Sequence, residues 1–103
     1  MSSSIVDIPK MEYEIYSKLR FRYMELAEGT DNEWRVYRMM EEILYNHNHW
    51  PKDKTGRWLG YVQCILIEVE GVTTIEDERD YTRPLFHELY KASGFEIPYS
   101  LEI

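Results

Sequence analysis

The chain has 103 residues and one cysteine, Cys64, so it cannot close an internal disulfide. A single thiol inside an apolar run reads as a buried, inert residue of a cytosolic protein. No apolar run approaches the length of a membrane-spanning helix, and the opening MSSSIVDIPK lacks the charged and apolar regions of a signal peptide. The expectation is therefore a cytoplasmic protein with no membrane partner. Basic residues are also scarce, with 12 Lys and Arg against 19 Asp and Glu, for a net charge of −7. Such a surface cannot neutralise a phosphate backbone, which speaks against direct nucleic-acid binding.

Motifs that carry chemistry are missing as well. There is no H-E-x-x-H, no G-x-S-x-G and no C-x-x-C. Glu41 and Glu42, or Glu68 and Glu76, fall short of the paired E-x-x-E and E-x-x-D motifs of a helical pyrophosphohydrolase. His47, His49 and His87, even with Asp53, show no spacing that requires a metal, and histidines near a helix end more often bond its last carbonyls. We expect no enzyme, no metal and no cofactor.

Aromatics, by contrast, are abundant at 15%, including nine tyrosines and three tryptophans. A single small domain needs fewer to fill its core. The surplus favours interfaces, so a homo-oligomer is expected. The charge is uneven too. Glu68 to Ile103 holds nine acidic and three basic residues, a local −6. That is a solvated face or a docking surface for a basic partner.

The apolar spacing predicts an all-α bundle of about four helices with an extended C-terminal arm, in one domain over 1–103. Residues 1–8 are expected to be a flexible N-terminus. Helix 1 is expected over Pro9–Glu28, capped by Asp7 and ended by Gly29, with Ile8, Met11, Ile15, Leu19 and Leu26 on one face. Tyr13, Tyr16 and Tyr23 broaden that face. Thr30 and Glu33 form a capping-box pattern for helix 2, which should end near Asn46–Asn48. Its faces read as Trp34, Tyr37, Met40 and Leu44 beside Val36, Met39 and Ile43.

Helix 3 is expected from a Thr55 cap to Gly71, with Gly60 allowing close approach of another backbone. The run YVQCILIEVEG is rich in β-branched residues and also suits a strand, but no partner strand lies nearby. Helix 4 is expected from Thr73 or Thr74, with Thr73 and Glu76 as a second capping box and a kink or break at Pro84. From Phe95 to Ile103 the odd positions are apolar, the period of an extended arm with one buried face.

One short island stands out against the acidic background. In Asn46–Ile67, Lys52, Lys54 and Arg57 face only Asp53, and Trp50, Trp58 and Tyr61 lie among them. Cations among flat rings suit a nucleotide-like anion. If Thr55 opens helix 3, the amides of Gly56, Arg57 and Trp58 form a positive helix end for phosphate. The candidate ligand-binding set is Trp50, Lys52, Lys54, Thr55, Arg57, Trp58 and Tyr61, joined by Arg83 at the predicted break. The bland reading is a polar loop anchored by its tryptophans. DKTGR lacks the spacing of a P-loop. In the acidic third, surface pairs of Arg79 with Glu76, and of Arg83 with Asp80 or Glu76, are expected.

The stretch RWLGYVQ (Arg57–Gln63), followed by TTIEDERDYTRPLFHELY (Thr73–Tyr90), resembles small uncharacterised accessory proteins encoded by bacteriophages. The resemblance implies a protein made in an infected bacterium that acts by binding, of an anti-defence type. Its partner would be a sequestered nucleotide or an inhibited host protein. The leading expectation is a non-catalytic binder of a nucleotide-like anion. The alternative is an inhibitor of a host protein acting through the acidic C-terminal surface.

Overall fold

The computed structural model describes residues 7–93, so the alternating segment 95–103 and residues 1–6 lie outside it. The described residues form four helices and no strand: α1 (Ile8–Ala27), α2 (Glu33–Asn46), α3 (Lys52–Cys64) and α4 (Ile75–Ser93). α1 packs against both α2 and α4, and α3 packs against α2. The all-α expectation holds, and the β-branched run after Tyr61 is helical.

α1 starts where its cap predicts. The Asp7 carboxylate accepts a hydrogen bond from the Lys10 amide at 3.1 Å, and Pro9 occupies the first turn, where a missing N–H costs nothing. Ile8 therefore opens a helix rather than closing a flexible terminus. After α1 the chain turns at Gly29, whose φ of +80° suits glycine.

The capping box expected for α2 is not formed. The Thr30 hydroxyl donates back to the Ala27 carbonyl at 2.7 Å, and α2 begins two residues later, behind Asn32. The Asn32 side chain makes no cap bond and instead donates to Glu70. At α4 the cap is Thr74, whose hydroxyl accepts from the Asp77 amide at 3.1 Å. Thr73 turns to the Glu78 carboxylate instead of forming a box with Glu76.

α3 departs furthest from expectation. It begins at Lys52, three residues before Thr55, and continues past Cys64 into a π-helical turn over Ile65–Val69. There the Glu70 amide reaches the Ile65 carbonyl, five residues back, at 2.9 Å. Such a turn inserts one residue into the helical register. Here Ile65 and Leu66 both face the core behind Val62. Gly60 meets no atom within 4 Å of an added Cβ, so it does not serve the close backbone approach expected of it. Cys64 is exposed rather than buried.

α4 runs unbroken through Pro84. The expected break is absent, so no freed amides are presented beside Arg83. The core consists of Ile15, Leu19 and Tyr23 from α1, Val36, Met40 and Ile43 from α2, and Leu59, Val62, Ile65 and Leu66 from the α3 region, closed by Leu89. Tyr23 is sealed, and its hydroxyl accepts from Gln63 Nε2 at 2.8 Å. Burial pushes its pKa well above the ordinary tyrosine value. Ion pairs tie the helices laterally: Arg20 to Glu41 joins α1 to α2, and Arg22 to Glu78 joins α1 to α4.

Candidate functional site

The corner between α2 and α3 decides what the basic island can do. The amides of His49 and Trp50 both donate to the Asn46 carbonyl at 2.8 Å, closing the end of α2. The Pro51 carbonyl then accepts from Lys54 and Thr55, at 3.0 and 3.2 Å, and starts α3. Thr55 is thus one turn inside the helix and only 2% exposed. The amides of Gly56, Arg57 and Trp58 lie within the helix and cannot receive a phosphate. The anion site expected at this helix end is overturned by a start three residues earlier than Thr55.

The other candidate residues are dispersed around that corner. Trp50 and Trp58 pack at 4.7 Å between ring centroids, tilted by 52°, and Lys54 Nζ sits 4.4 Å from the Trp50 ring. Arg57 is paired with Asp53 at 2.7 Å along the exposed face, and that hydrogen bond holds the Asp53 carboxyl below its usual range. Tyr61 is exposed further along α3. Lys52 approaches Glu12 of α1 at 3.8 Å. Arg83 lies on α4 and lines neither the groove that takes in Trp58 nor the cavity beside Lys52 and Thr55. The α2–α3 groove takes in Trp58 of the set, and a smaller cavity takes in Lys52 and Thr55. Within α4, Arg79 makes no ion pair with Glu76.

A groove of about 550 Å³ lies elsewhere, between α2 and α3. Trp34, Arg35, Arg38 and Met39 of α2 form one wall, and Trp58 of α3 forms the other. Asp31 and Glu42 stand at the groove as well. Trp34 is 69% exposed and stacks on Tyr37 at 5.2 Å, with planes 9° apart. Arg35 and Arg38 are exposed and have no hydrogen bond or ion pair among the described residues. Trp58 belongs to both places, so the island's ring reaches the groove while its cations do not.

No family model, no curated protein and no solved structure matches this chain.

Sequence reasoning missed Trp34, Arg35 and Arg38. It placed Trp34 on the core face with Met40 and Leu44. The signal was present: Val36, Met40 and Ile43 define the buried stripe, and two residues of helix turn Trp34 by about 200° away from Val36. Among the described residues, no group of three or more potential ligands gathers to hold a metal. Among the described residues, no helix is long and apolar enough to cross a membrane.

Proposed function

We propose that this protein is a non-catalytic binding protein for a nucleotide-like anion, and that its site is the groove between α2 and α3. One observation carries the reading: two arginines that form no ion pair among the described residues stand three residues apart beside an exposed, stacked tryptophan in a single groove. Guanidinium groups take phosphate oxygens bidentately, and an indole face takes a base. A volume of about 550 Å³ is in the range of small-molecule sites. Asp31 and Glu42 add acceptors for the amino groups of a base, so a nucleotide suits the groove better than a bare anion. The phage setting is part of this proposal only through the resemblance of Arg57–Gln63 and Thr73–Tyr90.

Thermal-shift measurements with mono-, di- and cyclic nucleotides test it. Ligand at 100 times its Kd raises native stability by about 2.7 kcal/mol, a shift of several degrees. The shift should vanish in the Arg35→Ala/Arg38→Ala double variant. No stabilisation by any nucleotide at millimolar concentration would refute the reading.

A second reading has one observation in its favour. Glu76, Asp77 and Asp80 are exposed on α4 and have no ion pair among the described residues, as a docking face for a basic host protein requires. Capture of a stoichiometric partner that survives the double arginine variant, and is lost on reversing these three charges, would favour it over the nucleotide. Self-association accompanies either reading, because Phe21, Trp34 and Tyr45 are all more than 60% exposed. Light scattering giving a monomer mass at millimolar chain would remove that part.

A further inference from the structure

Two further cavities lie between α3 and α4. One, of about 130 Å³, opens where α3 begins and α4 finishes, and Tyr16, Leu59, Phe86, Leu89 and Tyr90 give it an apolar lining. Lys52 stands at that end with its side chain 75% exposed. The other, of about 320 Å³, lies further along and is lined by Cys64, Ile67, Ile75 and Arg79 among others. Gln63 of the second lies one turn beyond Leu59 of the first on α3, and Thr82 lies one turn before Phe86 on α4. The two are therefore neighbouring stretches of one furrow. Its walls run from Lys52 to Ile67 on one side and from Tyr90 back to Ile75 on the other, each about 22 Å at the rise of a helix.

The chain itself carries a segment that matches this furrow in position, length, pattern and charge. α4 ends at Ser93, within one turn of Leu89 and Tyr90, so the residues that follow begin at the furrow's mouth. Gly94 comes next, the residue type that best lets a chain turn back after a helix. In 95–103 the apolar residues Phe95, Ile97, Tyr99, Leu101 and Ile103 alternate with polar ones, so an extended backbone would show all five on one side. Extended, these residues span about 26 Å, close to the length of the walls. Glu96 then falls near Lys52, and Glu102 near Arg79, which makes no ion pair among the described residues. Helical walls offer no strand ladder, so such a segment docks by its side chains. Pro98, which lacks an N–H to donate, is harmless there.

We propose that the furrow between α3 and α4 is the docking site of residues 95–103 of the same chain, which run back along α4 with Phe95, Ile97, Tyr99, Leu101 and Ile103 turned inward. The apolar lining of the furrow and the apolar edge of the segment are then removed from water together. The even positions, Glu96, Pro98, Ser100 and Glu102, stay at the surface. The furrow shares no lining residue with the α2–α3 groove, so the proposal stands or falls independently of the nucleotide reading.

Cys64 is the only cysteine and lines the furrow, so a second cysteine placed in the segment reports which side faces inward. Leu101 should come beside it, because each lies about 18–20 Å from the Lys52 end, one along an extended chain and the other along a helix. The test is disulfide closure in the full chain under oxidised glutathione, at micromolar protein. Leu101→Cys should close onto Cys64 about tenfold faster than Glu102→Cys, since a disulfide needs convergent Cβ vectors and not mere reach. A loose segment would offer both positions equally. Separately, Ile97→Asp/Leu101→Asp should lower the melting temperature by about 4 °C or more, and Ser100→Asp should leave it nearly unchanged. Three results would overturn the proposal: equal closure rates at 101 and 102; a disulfide formed mainly between two chains, which would seat the segment on a second copy; or an unchanged melting temperature in the double aspartate variant.

Discussion

Arg22 forks onto Glu78: its Nε and Nη2 donate to the two oxygens of the same carboxylate at 3.2 and 2.8 Å, joining α1 to α4 across 56 residues of sequence. Glu78 is only 3% exposed, and the Arg22 guanidinium also lies 4.4 Å from the Tyr81 ring. The Thr73 hydroxyl donates to the same carboxylate, so this network fixes both the start of α4 and its approach to α1.

Removing one member should cost far more than a surface substitution. Arg22→Leu leaves a buried carboxylate without its cation, and breaking such a pair costs about 3–5 kcal/mol. Arg35→Leu on the exposed face should change stability by less than about 0.5 kcal/mol. Urea unfolding of the two variants checks this. Equal midpoints would mean that the Arg22–Glu78 fork contributes nothing specific.

The pH dependence of stability should have two separate limbs. Burial lowers the His47 pKa below 6.5, and the repulsion from His49 adds to this while Glu12 opposes it. The unfolded chain therefore binds a proton there more readily than the native one. Stability is full above pH 6.5 and declines as pH falls through the lowered native value. For Glu78, burial pushes the carboxyl up, but hydrogen bonds from Arg22 and Thr73 more than offset it, and the net direction is downward from 4.5. Its contribution is full above pH 4.5 and is lost as pH falls through the native value. Melting temperatures of the wild type and His47→Gln between pH 7 and pH 3 separate the limbs. The upper one should flatten in the variant and the lower one should remain.

Gly60 offers a gain rather than a loss. It is exposed in the middle of α3, and an added Cβ meets nothing within 4 Å. Gly60→Ala should stabilise the protein by about 1 kcal/mol, the helix-propensity difference. That corresponds to a rise of about 4–8 °C in melting temperature for a domain of this size. A lower melting temperature would show that the glycine serves a close contact after all.

The helices were largely legible because the apolar spacing of Ile15, Leu19 and Tyr23, of Val36, Met40 and Ile43, and of Val62, Ile65 and Leu66 repeats at helical steps. Asp7 could be read as a cap because its carboxylate serves an amide three residues away, a purely local act. Thr30, Thr73 and Thr55 were misread for the opposite reason. Each is a good capping residue, but Thr30 turned to Ala27, Thr73 to the Glu78 carboxylate, and Thr55 into the core. Local propensity left those choices nearly balanced, and packing tipped them.

The basic island in His47–Trp58 shows the same division. Its sequence determined that cations and rings would crowd the corner between two helices. Only the tertiary structure decided that they would not face one ligand. An α3 start at Lys52 turns Thr55 and Lys52 toward α1, pairs Arg57 with Asp53, and leaves Trp58 alone to meet Trp34, Arg35 and Arg38 of α2. The α3 cap falls at Pro51 rather than Thr55, four residues earlier, so a different set of amides and side chains stands at the helix end. The helices follow from local spacing, whereas the sites depend on how those helices are phased against one another.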